Sequence, residues 1–455
     1  MSSNTKTTLM TEGSIPKKMV AFAFPIFLGN LFQQLYNTAD SLIVGNFLGS
    51  SALAAVSSAG NLIFLFIGFF IGLSVGAGVV ISNYIGARDK ERTELAVHTN
   101  IALGLASSVI LTILGVAFAP AILKLINTPD DVMADSVAYF RIYFAGATGF
   151  VMYNTFVGIL RAAGDSKHPL YFLIVSSIIN IVLDLLFIVV FHLGVGSVAL
   201  ATVISQLVSA LLCMFLLLRT KESYHMEFRK IGFNAPILGR IINYGLPAGI
   251  QNSVIGFANV LVQSYINVYG QMAMAGHGAY SKIEGFGFLP ITSFTMALTT
   301  FIGQNMGARD YRRVKKGAAF GTICTVGLAE LIGLIIFIFA PVLISAFDST
   351  PEAVAYGIQR TRTDTLFYCL LAFSHAMASV LRGEGKSTVP MVIMLSFWCV
   401  IRVTILALSN VYFHSILVVN WVYPLTWGLS SIAYVIYYIA ANPIKKLEAS
   451  TRSHS

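Results

Sequence analysis

Long apolar stretches follow one another along almost the whole chain and leave few folds open to it. Read between polar or Gly/Pro breaks, the 455 residues contain twelve such stretches. An α-helix needs roughly 20 apolar residues to cross the hydrocarbon core of a bilayer. The sequence therefore predicts an all-α polytopic membrane protein whose twelve transmembrane helices lie near 17–48, 52–84, 95–122, 132–160, 169–191, 195–218, 237–268, 272–305, 317–345, 352–381, 388–411 and 415–441.

The composition supports this fold class. Hydrophobic residues make up 56% of the chain and charged residues 11%, whereas a soluble domain carries about 25% charged residues. These values exclude an ordinary soluble enzyme, a disordered chain and a secreted disulfide scaffold. The four cysteines lie in apolar stretches without metal-ligand spacing, so we interpret them as small hydrophobic residues. The first apolar stretch is too long for a cleavable signal peptide.

The basic residues predict the orientation of the chain in the membrane. With twelve spans, most of the 29 Lys and Arg residues fall in the segments on one side, which also holds both termini. By the positive-inside rule that side is the cytoplasm. We expect a multi-pass protein of the bacterial cytoplasmic (inner) membrane. The net charge of +9 then reflects orientation in the lipid bilayer and not a nucleic-acid partner.

The two halves of the chain repeat each other at a fixed offset. Gly86-Ala87-Arg88-Asp89 recurs 221 positions later as Gly307-Ala308-Arg309-Asp310. Leu160-Arg161-x-x-Gly164-x-Ser166-x-x-Pro169 recurs at the same offset from Leu381 to Pro390. Six spans per repeat give parallel repeats. We expect an N-terminal lobe (1–218, spans 1–6), a cytoplasmic linker (219–236), a C-terminal lobe (237–455, spans 7–12 and a short tail) and a central cavity between the lobes.

Ionisable groups inside the apolar stretches are candidates for function, because each costs about 2.5–3.5 kcal/mol at a helix centre. At about 1.5 Å rise per residue, four side chains fall roughly 10–12 Å below the outer surface: Asp40, Tyr139, Asp184 and Thr202. Tyr36 and Asn180 lie one turn from Asp40 and Asp184 on the same helix faces. Two neighbouring carboxylates cannot both ionise cheaply in a low dielectric, so this group predicts a site for a proton or Na⁺. Structural hydrogen bonding of the two acids is the alternative.

Charged residues in the second half form a secondary set of candidates. Lys282 and Glu284 are two residues apart and cannot face each other on one helix. We therefore expect structural ion pairing within the set, with Asp364 as an alternative coupling acid. Its members are Lys282, Glu284, Glu330, Asp364 and Arg402.

Several of these residues carry a resemblance to a known family. The pattern Pro25 … Gln33-Gln34-x-Tyr36-Asn37-x-x-Asp40-x-x-x-Val44-Gly45, the duplicated Gly-Ala-Arg-Asp loops and Asn180-x-x-x-Asp184 resemble the multidrug and toxic compound extrusion (MATE) transporters, in particular their DinF-like bacterial branch. The resemblance covers roughly residues 15–440. It implies cation-coupled antiport of amphipathic organic cations by alternating access. It also implies an N-lobe cation site at Tyr36, Asp40, Tyr139, Asn180, Asp184 and Thr202.

A mechanism of this kind needs a flexible helix and a surface for the substrate. Pro25 lacks a backbone N–H and permits a kink in span 1, so we expect a hinge there. Met and aromatic side chains are candidates for lining the cavity, with plain helix packing as the alternative reading: Phe32, Met152, Phe156, Phe257, Phe286 and Met296.

Other functions are less consistent with the sequence. A lipid-linked oligosaccharide flippase of the same architecture is the main alternative, although the buried charge of the first lobe is acidic and not Arg-rich. The eight histidines form no metal-ligand or nucleophile–base pair, so we expect no enzyme. We expect no cofactor and no metal beyond a possible Na⁺ at Asp40, Asn180, Asp184 and Thr202, and we expect a monomer. Oxygen ligands do not decide between H⁺ and Na⁺ as the coupling ion.

Overall fold

The computed structural model describes residues 9–125, 128–412 and 414–441, without the side chains of 50, 53–54, 57–62, 64–65 and 410. Most of the predicted C-terminal tail lies outside these residues. The described residues form α-helices joined by short turns and contain no β-strand. The expected all-α fold class is therefore confirmed.

The helices run in the following order. The first half contains α1 (Ile15–Phe47), α2 (Ser50–Gly86), α3 (Lys90–Leu125), α4 (Asp130–Ala145), α5 (Ala147–Ala162), α6 (Lys167–Leu185, continued by the π-helix Leu186–Val190) and α7 (Gly196–Arg219). The second half contains α8 (Ala235–Asn267), α9 (Gln271–Gly287), α10 (Leu289–Gly307), α11 (Tyr311–Ser345), α12 (Pro351–Thr365), α13 (Tyr368–Gly383), α14 (Thr388–Met394), α15 (Arg402–Tyr412) and α16 (Ile416–Ala441). The π-helix Leu395–Ile401 joins α14 to α15.

Membrane-spanning capacity follows from helix length and hydropathy. Within the described part of the chain, nine helices are long and apolar enough to cross a bilayer. The number is eleven when two bent pairs count as one span each, α4–α5 with a bend of 48° and α12–α13 with a bend of 52°. The remaining expected span, 237–268, corresponds to α8, which has 33 residues but does not reach the same hydropathy.

The duplicated sequence motifs fold into duplicated turns. Gly164 and Gly385 have φ values of 89° and 81°, and their N–H groups donate to the carbonyls of Arg161 and Arg382. The next N–H in each turn donates to the carbonyl of Leu160 or Leu381. This is the Schellman pattern of helix termination, which favours glycine at the left-handed position. The repeated motif therefore encodes the same helix end twice.

The chain divides into two compact units. Unit 1 contains Phe24–Gly249, and unit 2 contains Met10–Ala23 and the described chain from Ile250 onward. These units divide the chain at other places than the expected lobes 1–218 and 237–455 and the cytoplasmic linker 219–236, which stay predictions. The linker and the first half of α8 pack with unit 1, and the start of α1 packs with unit 2.

Hydrogen bonds explain the place of the N-terminal segment in unit 2. The guanidinium of Arg313 donates to three carbonyls, those of Met10 (3.1 Å), Glu12 (3.1 Å) and Gly13 (2.7 Å). The N–H of Met10 donates to Oε1 of Gln304 at 2.8 Å, and the Met10 side chain is buried. This network attaches the segment before α1 to the end of α10 and to the start of α11.

Small residues bring α2 and α8 into backbone contact within unit 1. A Cβ added to Gly72 would lie 2.3 Å from the backbone N of Gly249, and one added to Gly76 would lie 2.2 Å from the N of Gly245. Real Cβ atoms do not approach so closely, so these positions require glycine. Close packing through small residues is the usual way in which helices associate without water.

We expect Gly76→Ala to destabilise the protein, because overpacking against rigid backbone costs about 1–3 kcal/mol. Thermal unfolding of the purified protein in detergent measures this loss. Gly78→Ala on the same helix is the control, since its nearest neighbour would lie at 3.8 Å. Equal melting temperatures for the two variants would contradict the close approach.

The charges in the two duplicated turns differ. Asp165 caps α6, because its Oδ1 accepts from the N–H groups of Lys167 (3.0 Å) and His168 (3.1 Å). Lys386 occupies the matching place in unit 2, and Glu384 replaces Ala163. The Glu384 side chain is fully buried, and neither of its oxygens has a hydrogen-bond partner within the described ranges; the Nζ of Lys386 is 3.9 Å away. Burial raises the pKa of Glu384 from its ordinary value of 4.5 to about 7, although Lys386 opposes the shift.

A raised carboxyl pKa means that the folded state binds the proton more tightly than the unfolded state. The free energy of unfolding should therefore decrease as the pH rises from about 4.5 to about 7 and should not change further above that range. The decrease amounts to about 1.4 kcal/mol for each unit by which the pKa of Glu384 differs between the folded and unfolded states. Melting temperatures across this range should show that Glu384→Gln flattens the profile. Asp165→Ala is the control and should lower stability through the lost cap while it leaves the Glu384 step in the profile. An unchanged profile in Glu384→Gln would refute this.

Candidate functional site

The six side chains expected to form a cation site belong to unit 1 and come from four helices. Tyr36 and Asp40 lie on α1, Tyr139 on α4, Asn180 and Asp184 on α6, and Thr202 on α7. The i, i+4 spacing on α1 and α6 places each pair on one helix face. Contacts among them show that the structure brings these residues together.

Asn180 joins the two aspartate-bearing helices to α7. With its amide nitrogen turned toward Asp40, that nitrogen lies 2.9 Å from Oδ1 and 3.3 Å from Oδ2 of Asp40. The other amide atom lies 3.5 Å from Oγ1 of Thr202, whose hydroxyl donates to the carbonyl of Val198. The amide thus donates to the Asp40 carboxylate and places its oxygen next to the Thr202 hydroxyl.

The Asp184 carboxyl lies beside that of Asp40, within reach of a proton shared between the two. Asp184 is fully buried, and neither of its oxygens has a hydrogen-bond donor among the described residues. Asp40 is half-buried. Among these residues no Lys, Arg or His forms an ion pair with either acid. Two buried acids without a basic partner need a cation, a proton included, to be accommodated.

Aromatic and amide side chains close the site. The Tyr139 hydroxyl is buried near both acids and near Tyr36. The Tyr36 hydroxyl contacts the side chains of Gln33 and Gln206. We did not select these glutamines from the sequence. Gln206 is four residues from Thr202 on α7, so the same helical spacing that relates Asn180 to Asp184 could have indicated it.

The charged residues of the second half mix acids with arginines: Asp364 lies near Glu284 but also near Arg360 and Arg402. Asp364 lies 2.7 Å from Nη2 of Arg360, four residues earlier on α12, and both side chains are buried. The Nη1 of Arg360 donates to the carbonyls of Val419 (2.9 Å) and Asn420 (3.2 Å). Pro424 has no N–H to offer the Asn420 carbonyl, and the arginine replaces that hydrogen bond. Asp364 therefore neutralises an arginine that supports a helix kink.

Three further members of this set have hydrogen-bond partners of their own. Glu284 also lies near Arg360 and Arg402. Arg402 donates to Oγ1 of Thr426 at 2.8 and 3.2 Å. Glu284 accepts from the Tyr280 hydroxyl at 3.2 Å, and Glu330 accepts from the N–H of Cys369 at 2.8 Å, at the start of α13. Lys282 is exposed. Arg360 was absent from the predicted set, although its i, i+4 spacing to Asp364 could have indicated it.

The residues expected to line a cavity do not share one environment. Met152 and Phe156 are buried in the hydrophobic core of unit 1, because α5 packs between other helices of that unit. Phe32, Phe257 and Phe286 are more than a third exposed, and Met296 is half-buried. For Met152 and Phe156 this burial favours helix packing, the alternative to a lining role.

Comparisons with known proteins give a consistent result. The family model named MatE matches the chain twice, over residues 25–186 and 247–408. The chain is 30% identical to "Probable multidrug resistance protein YoeA" of Bacillus subtilis over 438 residues, which cover 94% of each protein. It is 29% identical to "Probable multidrug resistance protein YpnP" of the same organism over 409 residues, 88% of this chain and 90% of that protein.

Solved structures show the same fold. A transporter of the MOP superfamily from Pyrococcus furiosus superposes with a TM-score of 0.90 at 25% identity, over 97% of this chain and 99% of that one. Its binding pocket is described as having reversed polarity, which suggests a different function for that protein. The fold alone therefore does not determine the transported compound.

We expect Arg360→Leu to destabilise the protein by about 3–5 kcal/mol, because it leaves Asp364 as an uncompensated buried charge. The double variant Arg360→Leu/Asp364→Leu should recover part of the loss. Thermal unfolding in detergent measures both. Arg362→Leu, two residues away and exposed, is the control; a loss in Arg362→Leu as large as in Arg360→Leu would argue against the ion pair.

Proposed function

Because this chain belongs to the MATE family of transporters, we propose that it is a secondary active multidrug exporter. A proton or Na⁺ would enter as an amphipathic organic cation leaves, by antiport and alternating access. The two matches to the family model and the identity to the B. subtilis relatives support the family. The names of those relatives support drug export as the function.

The observation that carries the coupling step is the Asp40–Asp184 pair. Both acids lie in unit 1 without a basic partner, and Asp184 has no hydrogen-bond donor within the described residues. A single proton would let one carboxyl donate to the other and relieve their repulsion. Na⁺ would instead be coordinated by carboxylate oxygens, the Asn180 amide and the Thr202 hydroxyl. Oxygen atoms of this kind are the ligands that suit a hard cation. The residues fit either ion.

Unit 2 offers no comparable pair of acids without a base on its described spans. Asp364 and Glu284 lie near each other but also near Arg360, whose guanidinium is 2.7 Å from Asp364. An inorganic cation would have to displace that guanidinium and would leave the Asn420 carbonyl without its donor. The charge distribution therefore favours coupling in unit 1.

Pro25 provides the conformational part of the mechanism. It lies in α1 two residues after Ala23, where the helix passes from unit 2 into unit 1. The missing N–H at Pro25 weakens the helix at this place. Ion binding at Asp40 would change the packing of α1 on α6 and α7 and bend α1 at Pro25. This movement would alter the substrate-binding surface and expel the organic cation.

The orientation and the working state also belong to the proposal. Together with the helix ends beside them, the turns after α2, α5, α7, α10 and α13 carry most of the 29 Lys and Arg residues, which supports a cytoplasmic location for these turns and for both termini. We place the protein in the bacterial cytoplasmic membrane as a monomer. Its partners would be small amphipathic organic compounds and the lipid bilayer, without a nucleic acid or a cofactor.

The test is export of a fluorescent organic cation by purified protein in liposomes, under separately imposed pH and Na⁺ gradients. One gradient should drive transport by the wild type. Asp40→Asn and Asp184→Asn should each reduce gradient-driven transport about tenfold or more, equivalent to about 1.4 kcal/mol. Asp135→Asn, which removes an exposed acid from α4, is the matched control and should transport normally.

Two outcomes would overturn the proposal. Full gradient-driven transport in Asp40→Asn would exclude this acid from coupling. Wild-type transport that ignores both gradients would indicate a facilitator or a flippase. Thermal unfolding of each variant shows that a loss of transport does not come from a loss of folding.

A further inference from the structure

The segment between α7 and α8, residues 220–234, is held firmly on unit 1. The Met226 N–H donates to the Leu217 carbonyl at 3.0 Å, and the Asn234 N–H donates to Oγ1 of Thr99 at 3.2 Å. Tyr224 and Met226 are buried in the hydrophobic core of unit 1. We call this segment the linker. Its contacts with α3 fix which of its side chains face outward.

His98 of α3 is central to this attachment. Its Nε2 accepts the Glu227 N–H at 2.9 Å, so its Nδ1 carries the hydrogen and donates to the Glu94 carbonyl at 2.8 Å. The Nζ of Lys230 forms ion pairs with the carboxylates of Glu94 (2.6 Å) and Glu227 (2.9 Å). The linker is therefore attached by both hydrogen bonds and ion pairs.

Two large apolar side chains of the linker remain outside. Phe228 is 60% exposed and Phe233 is 57% exposed. The other turns at this end of the spans, 87–89, 163–166, 308–310 and 384–387, show no exposed large apolar side chain among the described residues. Each phenylalanine could bury a surface on the order of 150–250 Å². Because the linker is fixed, the exposure is a property of the fold.

The charge of the linker favours an anionic neighbour. Arg229 and Lys221 are exposed, and the guanidinium of Arg219 at the end of α7 stacks on Phe215 at 4.0 Å. The acids Glu94 and Glu227 are already paired with Lys230. The outward surface thus combines two aromatic rings with Arg229 and Lys221, which form no ion pair within the described part of the chain.

We propose that the linker is a binding site for anionic phospholipid. Phe228 and Phe233 enter the boundary between headgroups and acyl chains, while Arg229 and Lys221 contact the lipid phosphate. Aromatic side chains at this depth anchor membrane proteins, and basic residues there are attracted to anionic headgroups. The position at the ends of α7 and α8 favours lipid over a soluble protein partner. The inference does not depend on the transported compound or the coupling ion.

Membrane contact can be tested with tryptophan as a depth probe. Phe228→Trp and Phe233→Trp are reconstituted in vesicles whose lipids carry bromine near the headgroup end of the acyl chains. The native Trp398, Trp421 and Trp427 all lie in unit 2, and the wild type supplies their signal for subtraction. Both new tryptophans should be quenched more strongly than the control Lys90→Trp. Equal or weaker quenching at 228 and 233 would overturn membrane contact.

Selectivity for the anionic lipid needs a second measurement. Phosphatidylglycerol should bind the purified protein more tightly than phosphatidylcholine, as measured by native mass spectrometry. Each of Arg229→Gln and Lys221→Gln should weaken phosphatidylglycerol binding about fivefold. Arg92→Gln is the control, because Arg92 is exposed on the same face but lies 3.6 Å from Asp89. Equal affinity for both lipids, or unchanged binding in the two variants, would refute the site.

Discussion

The lack of water in the hydrocarbon core is the constraint on which this structure depends. Buried hydroxyls donate to backbone carbonyls, for example Ser176 to Ser205, and Arg360 donates to the carbonyl that Pro424 leaves free. Polar groups without such partners are expensive in this environment. Asp184 is buried beside a second acid and has no donor among the described residues. In the proposed mechanism a mobile cation supplies the missing partner.

Duplication gave the two units the same backbone turns but different charges. The Schellman turns at Gly164 and Gly385 have matching hydrogen bonds. Unit 1 nevertheless gathers Asp40 and Asp184 without a base among the described residues, whereas Asp364 of unit 2 is paired with Arg360. In the proposed mechanism the first pair binds the coupling ion. The second pair instead holds a guanidinium against the Asn420 carbonyl.

The sequence predicted what depends on helix length and helical periodicity. The all-helical fold and the repeat could be predicted in this way. The proximity of four side chains could also be predicted, because it depends on their depth and helical spacing: Asp40, Asn180, Asp184 and Thr202. Hydropathy does not show which way a helix faces its neighbours. Phe156 was for this reason expected at a cavity and lies in a core, and Arg360 was not recognised as the partner of Asp364. The unit boundaries depend on contacts such as Arg313 with Met10, which no local pattern reveals.

The assignment of the start of α1 to unit 2 and of the first half of α8 to unit 1 has a consequence for the origin of the fold. Each half of the sequence gives a segment to the compact body built mainly from the other half. Before the duplication was fused, two copies of a half-length ancestor would have made this exchange between separate chains, as in a domain-swapped dimer. Cutting the chain at the linker would therefore recreate an intertwined pair and not two self-sufficient proteins.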